Sequence, residues 1–227
     1  MTRGEDPWEN FSDGGDLMRQ ILISTVMMWA VIVASEPMRS ARQLEDYDRS
    51  GSYQIDIDKS VKLCNEKVEQ FRLQSLRHEK EAAVFDIDET VLSNISLIRK
   101  SQYRFTNKDF LEQIADSHPL KIESSMQLAR RLRKEGVAIF FITGRTESMY
   151  SLAASQLAEV GMSQSDYQAI FCAPEGESIG DFKQRSRDRI VDMGYKIILS
   201  ISDQDSDLQG DNLGVVCKLP NPFYKTG

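Results

Sequence analysis

Two carboxylates, one residue apart, follow an uncharged stretch in the first half of this 227-residue chain. Residues 82–85 read Ala-Ala-Val-Phe and predict a strand that is buried on both faces of a parallel sheet. Asp86 and Asp88 come directly after it, and carboxylates this close repel one another, so that one pKa rises unless a cation lies between them. A hard cation such as Mg²⁺ would relieve this repulsion. The alternative is a polar turn without a function.

Two later segments carry groups that suit a phosphoryl ligand. Thr143, Gly144 and Arg145 follow a predicted strand, where a hydroxyl beside exposed backbone amides can donate to a phosphoryl oxygen. A helix cap is the alternative for this segment. Lys183 and Arg187 lie four residues apart on one face of a predicted helix, and the Lys183 ammonium could neutralise a phosphoryl group. A solvated basic face is the alternative for this pair.

A second acidic cluster follows another predicted strand. Asp203, Asp205 and Asp207 lie within the run Ser-Asp-Gln-Asp-Ser-Asp at 202–207, directly after the apolar stretch 196–201. Three acids at a strand end need a cation, a cage of hydrogen bonds or full solvation. Because two strand ends are rich in aspartate, the sequence favours one common site over two unrelated turns.

The elements that must position these groups alternate between strands and helices. This order predicts right-handed βαβ units and a three-layer α/β fold with a parallel sheet, in which ligands bind beyond the carboxyl ends of the strands. Residues 93–120 have no strong strand pattern and are predicted to form an insertion over the first strand end, with a short helix at 106–115. The predicted strands are 82–85, 137–142, 167–172, 196–201 and 215–219, and the predicted helices are 58–81, 122–135, 146–161 and 181–194.

The composition limits the kinds of binding and catalytic site that the chain can form. A net charge of −7 and a pI near 5.0 argue against general nucleic-acid binding, which usually requires a basic face. Two histidines, and three cysteines without CxxC spacing, make a zinc site improbable, so catalysis must rely on carboxylates. Cys64, Cys172 and Cys217 can form at most one disulfide, and small buried hydrophobic residues are the default interpretation for them.

The N-terminal region precedes the predicted domain. Residues 1–17 hold five acids and one base, which predicts a disordered leader. Residues 21–34 are uncharged but shorter than the roughly 20 residues that a membrane-spanning helix needs. Within 18–35, Arg19 before this stretch and small residues after it predict a signal peptide, with translation starting at Met18 or with the acidic leader as a tolerated extension. An uncleaved membrane anchor or a buried helix is the alternative, and 36–227 is the predicted catalytic domain.

The order of these motifs resembles the four motifs of the haloacid dehalogenase (HAD) superfamily. More narrowly, three strings resemble the class B acid phosphatase family, which includes plant acid phosphatases, vegetative storage proteins and secreted bacterial enzymes. They are Asp-Ile-Asp-Glu-Thr-Val-Leu-Ser-Asn at 86–94, Ser-Asp-Gln-Asp-Ser-Asp-Leu at 202–208 and Lys-Leu-Pro-Asn-Pro-Phe-Tyr at 218–224. The resemblance covers about 58–225. Two departures bear on substrate preference: Asp205 replaces a tryptophan of plant members, and Ile-Ser-Leu-Ile at 95–98 replaces aromatic residues.

The resemblance implies a Rossmann-like HAD fold with a small cap insertion at about 94–120. It also implies a Mg²⁺-dependent acid phosphatase that hydrolyses phosphate monoesters through an aspartyl-phosphate intermediate. Asp86 would be the nucleophile, and Asp88 the general acid and base. The implied phosphate-binding residues are Thr143, Gly144 and Lys183, and the implied metal ligands are Asp86, the Asp88 backbone carbonyl, Asp203 and Asp207, the last directly or through water.

Other functions remain open at this point. A phosphotransferase or nucleotidase could use the same phosphorylated aspartate, and a storage or binding protein could keep the fold without catalysis. Tyr103, Phe105 and Phe110 could stack on an aromatic leaving group, although packing of the insertion onto the core is favoured. The expected partner is a small phosphomonoester, without stable nucleic-acid binding. The protein is expected to be exported, with membrane association only if 21–34 is an uncleaved anchor.

Overall fold

A computed structural model describes residues 39–74, 80–106, 110 and 113–225. The predicted leader and the predicted signal peptide or anchor lie outside these residues, as do 107–109, 111 and 112 of the predicted helix at 106–115. None of the helices in the described part of the chain is long and apolar enough to cross a bilayer.

Five strands form one parallel sheet with the order β5-β4-β1-β6-β7, and two short strands, β2 and β3, pair in antiparallel fashion. The α/β prediction is therefore confirmed. The strands are β1 Glu81–Phe85, β2 Leu92–Ser93, β3 Leu120–Lys121, β4 Ala138–Thr146, β5 Ala169–Ala173, β6 Lys196–Ser202 and β7 Val215–Lys218. The α-helices are α1 Ala41–Arg49, α2 Ser52–Gln74, α3 Ile95–Lys100, α4 Glu123–Lys134, α5 Tyr150–Glu159 and α6 Ile179–Asp192.

Strand β1 lies at the centre of the sheet and separates two apolar cores, because successive side chains of a strand point to opposite faces. Ala83 and Phe85 belong to the larger core, which contains buried residues of α2, α4 and α5. Ala82 and Val84 face the smaller core, which contains Phe182 and Ile190 of α6. The two cores give the predicted three layers, with β1 as the buried strand that leads to Asp86.

Several element boundaries differ from the prediction. Helix α2 begins at Ser52 rather than at 58, because buried Tyr53 and Ile57 extend its apolar face toward the N-terminus. Strand β4 continues to Thr146, so Thr143 lies within the strand, where its register against β5 shifts, and not in a turn after it. The following α5 begins at Tyr150 after a short 3₁₀ segment.

Two helices were not predicted. Helix α1 is capped by Ser40, whose hydroxyl accepts a hydrogen bond from the backbone N–H of Gln43, and it is too short for its period to stand out. Helix α3 lies within the insertion, which is closed by the pairing of Leu92 with Lys121 and of Ser93 with Leu120.

The cysteine prediction needs one correction. Cys64 and Cys217 form a disulfide between α2 and β7, with a Cα–Cα distance of 5.6 Å, whereas Cys172 is a buried free thiol as expected. Sequence spacing could not indicate the pair, because it depends on how α2 lies against the edge strand.

Candidate active site

Asp86 lies at the end of β1, where its backbone N–H donates to the carbonyl oxygen of Ile201 on β6. The Lys183 ammonium on α6 donates to Asp86 Oδ1 at 2.6 Å and also to Asp207 Oδ2. All three side chains are buried. The structure thus brings together one cation and two carboxylates that the sequence placed on three separate segments.

Asp88 is held by groups on two other elements. Arg145 of β4 forms a bidentate pair with it, at 2.8 Å from Nε to Oδ2 and 2.7 Å from Nη2 to Oδ1. The Asn94 side-chain amide donates to Asp88 Oδ1 at 2.9 Å. Arg145 is almost completely buried, and although burial acts to lower its pKa, the Asp88 carboxylate raises it above the ordinary value. Arg145 was part of the motif noted in the sequence, but not of the predicted site residues.

Thr143 and Gly144 lie beside this pair on β4. Thr143 is buried, and its hydroxyl oxygen accepts a hydrogen bond from the backbone N–H of Arg145 at 3.2 Å. Gly144 lines the same cavity as Asp86 and Asp88. The register shift of β4 against β5 at this point lets the backbone face the cavity rather than continue the ladder.

Asp203 and Asp207 follow β6, but Asp205 points elsewhere. Gln204 and Asn221 donate to Asp203 Oδ2 at 2.5 and 2.6 Å, and the Ser202 hydroxyl donates to Asp207 Oδ2 at 2.7 Å. Asp203 and Asp207 are buried, whereas the Asp205 side chain is 79% exposed. The second acidic cluster therefore contributes two of its three carboxylates to the site.

A cavity of about 230 Å³ joins these groups. Its floor is polar, and its walls include aromatic side chains from the insertion and from the C-terminal segment. It is lined by Asp86, Asp88, Phe110, Gly144, Arg145, Thr146, Ala173, Pro174, Gly176, Glu177, Ile179, Lys183, Asp203, Gln204, Asp207 and Tyr224.

Two residues of this region, Glu89 and Tyr224, were missed as site residues. Glu89 is fully buried with a φ of 50°, and it accepts a hydrogen bond from the Asn94 backbone N–H at 2.6 Å. The Tyr224 hydroxyl donates to the other oxygen of Glu89. Both residues lie inside the strings 86–94 and 218–224, on which the family resemblance rests. Their place in these strings is the sequence feature that could have identified them as site residues.

The insertion aromatics pack as favoured. Tyr103, Phe105 and Phe110 are each buried, and Phe105 and Phe110 contact the ring of Tyr224 with centroids 5.7 and 6.1 Å apart. Tyr103 lies 6.2 Å from Phe223. Phe110 also reaches the cavity, so that packing and cavity lining are combined in one residue.

Burial dominates the electrostatics of the acidic groups. It raises the pKa of Asp86 well above its ordinary value, against the opposing effect of Lys183. It raises the pKa of Asp203 to about 6 and that of Glu89 to about 8. Lys183 and Arg145 offset only part of this concentration of negative charge, so the carboxylates would gain from a further cation.

The donor set fits a magnesium ion. Within the described residues, no three acidic, histidine or cysteine side chains lie close enough together to hold a metal by themselves. Mg²⁺ typically keeps several water ligands and uses only one or two protein carboxylates, so Asp86, Asp203 and the Asp88 backbone carbonyl suit it chemically. Zinc sites in proteins rely mainly on histidine and cysteine ligands, and calcium takes six to eight oxygen ligands, so these few oxygen donors suit Mg²⁺ better.

Residues 21–227 match the family described as HAD superfamily, subfamily IIIB (acid phosphatase), and the chain belongs to this family. Acid phosphatase 1 of Solanum lycopersicum is 26% identical over 196 residues, which cover 83% of this chain and 75% of the relative. Stem 28 kDa glycoprotein of Glycine max is 30% identical, with 65% and 61% covered. Vegetative storage protein 1 of Arabidopsis thaliana is 30% identical, with 62% and 54% covered, so the aligned region spans less than two thirds of these last two relatives.

Solved structures agree on the fold. The class C acid phosphatase from Bacillus anthracis superposes with a TM-score of 0.65 at 20% identity, covering 82% of this chain and 86% of the other. Its structure with tungstate bound gives a TM-score of 0.63 at 18% identity, with the same coverage. At this identity, the likeness supports the HAD-type architecture and leaves the chemistry to the residues of this chain.

Proposed function

We propose that this protein is a Mg²⁺-dependent acid phosphatase that hydrolyses small phosphate monoesters through a phosphorylated Asp86. The observation that carries the proposal is the convergence of Asp86, Lys183 and Asp207 with the Asp88–Arg145 pair on one cavity. Family membership supports the reaction class.

In the proposed first step, an oxygen of Asp86 attacks phosphorus and the ester oxygen leaves. Asp88, in its protonated form, gives its proton to that departing oxygen. Lys183 and the Thr143 hydroxyl bind the remaining phosphoryl oxygens, with the Gly144 backbone beside them. In the second step, Asp88 removes a proton from a water molecule, and this water attacks phosphorus and releases Asp86.

A magnesium ion held by Asp86, the Asp88 carbonyl and Asp203, with support from Asp207, would supply charge neutralisation between nucleophile and phosphate. The amides of Gln204 and Asn221 hold the Asp203 carboxylate in place for this role. The Lys183 ammonium donates a hydrogen bond to Asp207 and holds this side chain beside it.

Catalysis is favoured over storage because every predicted acid of the mechanism is present. A protein kept only for its amino acids has no need for four buried charged groups around one cavity, each of which is costly to bury. Asp86, Lys183, Asp203 and Asp207 are buried and line this cavity. The storage hypothesis would be supported instead by purified, folded protein that shows no phosphatase activity with added Mg²⁺.

The aromatic walls of the cavity suit substrates whose leaving group has an apolar or planar part. Phe110 and Tyr224 face the same cavity as Asp86, and aromatic rings contribute stacking energy with such groups. A panel of nucleotides, sugar phosphates and phosphotyrosine would test this preference. Comparing free phosphate with total product, with and without an added nucleoside, would separate hydrolysis from transfer to an alcohol.

We also propose that the protein is exported. The Cys64–Cys217 disulfide supports this, because such bonds persist in oxidising compartments. A mature N-terminus at Glu36 or a close neighbour is expected, and a full-length cytosolic product would contradict export.

The covalent intermediate has a direct test. We expect acid-quenched protein, mixed with an aryl phosphate, to gain the mass of one phosphoryl group, located by peptide mapping at Asp86. A phosphoryl group on any other residue, or none during turnover, would contradict the proposal.

A further inference from the structure

Gln156 on α5 is a buried side chain that does not line the cavity, yet it is bonded to the group that holds Asp88. Its side-chain oxygen accepts a hydrogen bond from Arg145 Nη1 at 2.7 Å. The same guanidinium uses Nε and Nη2 to bind both oxygens of Asp88. Gln156 and Arg145 are each only 1% exposed, so water does not compete for these bonds.

The other end of the Gln156 amide holds the insertion. Its nitrogen donates to the backbone carbonyl oxygens of Ile114 and Ser117 at 3.1 and 3.0 Å. The Ser117 hydroxyl lies 3.3 Å from the same nitrogen. Two carbonyl acceptors can face only the NH₂ group, so the amide orientation is fixed and its oxygen must point at Arg145.

We infer that Gln156 is a positioning residue that couples the seating of the insertion to the orientation of Asp88 through Arg145. The guanidinium group of Arg145 is planar and rigid, so its nitrogens move together. If Nη1 loses its contact with Gln156 and the group turns, Nε and Nη2, which bind Asp88, turn with it. Asp88 can protonate a leaving oxygen only when its carboxyl group lies within hydrogen-bond reach of it. The inference rests on the proposed role of Asp88 as general acid.

The test uses the dependence of kcat/KM on the leaving group. kcat/KM covers the steps up to phosphorylation of Asp86, and a series of substituted phenyl phosphates varies the pKa of the departing phenol. A poor leaving group needs the proton from Asp88 more than a good one. If Asp88 is no longer positioned, the slope of log kcat/KM against leaving-group pKa therefore becomes steeper. General structural damage instead lowers kcat/KM by the same factor for all substrates.

We expect Gln156→Met, which keeps the shape but removes both hydrogen-bonding groups, to lower kcat/KM for phenyl phosphate by about tenfold or more. The loss for 4-nitrophenyl phosphate is smaller, so the slope steepens in the same direction as in Asp88→Asn. Gln156→Glu keeps an acceptor toward Arg145 but loses the donor to the Ile114 and Ser117 carbonyls, so its slope should lie between those of the unmodified protein and Gln156→Met. Adding Gln156→Met to Asp88→Asn should leave the slope of Asp88→Asn unchanged. The asparagine cannot protonate the leaving group, so its orientation no longer affects the slope.

Gln127→Met is the matched control, because its amide is exposed on α4 and donates to Glu123 only one turn away. It should leave both rate and slope unchanged.

Suppose that Asp88→Asn steepens the slope, but that Gln156→Met lowers kcat/KM equally for all substrates or for none of them. The inference is then overturned while the proposed function stands. If Asp88→Asn leaves the slope unchanged, the acid role of Asp88 is contradicted and the inference is overturned with it. Should Gln156→Met fail to fold, Gln156→Asn decides, because its shorter amide cannot reach both Arg145 and the insertion: a steepened slope supports the inference, and an unchanged slope overturns it.

Discussion

The Tyr224 hydroxyl donates a hydrogen bond to Glu89, a fully buried carboxylate 135 residues earlier and next to Asp88 in the chain. Three residues before Tyr224, the Asn221 amide donates to Asp203 at 2.6 Å. The segment after β7 therefore contacts both acidic clusters of the site. It supports Asp203, a proposed metal ligand, and Glu89, the neighbour of Asp88.

Asn221→Ala should weaken metal binding, because Asp203 loses one of the two amides that orient its proposed ligand oxygen. We expect exhaustive chelation to abolish activity in the unmodified protein and Mg²⁺ to restore it. The variant should need about 10- to 100-fold more Mg²⁺ for half-maximal activity, as is typical when a group that orients a ligand is removed. Asn65→Ala, which removes an amide bonded to Arg131 away from the site, is the control. Full activity after chelation would contradict the metal requirement.

Lys183→Met should destabilise the fold when metal is absent. The substitution leaves the buried carboxylates of Asp86 and Asp207 without their cation, and breaking a buried ion pair costs about 3–5 kcal/mol in the free energy of unfolding. Urea denaturation in the presence of a chelator measures this change. Lys59→Met is the control, since its pair with Asp56 is exposed to solvent and should contribute little to stability. Equal stability of both variants would argue against a charged, buried Lys183.

Reduction of the Cys64–Cys217 disulfide should lower the free energy of unfolding by about 2–5 kcal/mol, because the bond restricts the unfolded chain. Denaturation with and without a reductant measures the change. Replacing both cysteines by alanine should reproduce the reduced state and remove the effect of the reductant. Cys172→Ala should remain as sensitive to the reductant as the unmodified protein, because Cys172 is free.

Asp48 predicts a pH-dependent stability. Burial would raise the pKa of Asp48, but hydrogen bonds from Arg99 and Tyr103 hold it below its ordinary value of 3.8. Because the folded chain binds this proton more weakly than the unfolded chain, the stabilisation is complete above that value and is lost as the pH falls through the lower folded-state pKa. Asp48→Asn should cost about 2 kcal/mol at pH 7.

Denaturation of the unmodified protein and Asp48→Asn between pH 7 and pH 2 measures this effect. The difference between the two proteins should shrink below pH 3.8. A difference that stays constant with pH would show that the stabilisation does not depend on the charge of Asp48.

The sequence predicts the sheet and the acids at its edge because both depend on local patterns. An uncharged strand followed by Asp86 and Asp88 is visible in one short string, and Gly136, Gly161 and Gly194 end helices where the periods predict it. In each case the information lies within a few neighbouring residues.

The groups that hold these acids were not predictable in the same way. Arg145 reaches Asp88 across 57 residues, and Gln156 reaches Ile114 across 42. Such contacts depend on how strands and helices pack, and a single glutamine on an apolar helix gives no sign of its partners. The pairing of Cys64 with Cys217, which the sequence left open, depends on packing in the same way.

The nucleophilic role of Asp86 is the central claim, and the rate of 4-nitrophenyl phosphate hydrolysis by Asp86→Asn tests it most directly. The amide keeps the shape of the side chain and can still lie beside Lys183, so the variant should remain folded by circular dichroism and thermal unfolding. We predict that kcat falls by about 10⁴-fold or more, as for loss of other enzymic nucleophiles. Turnover near that of the unmodified protein in the folded variant would remove Asp86 from this role.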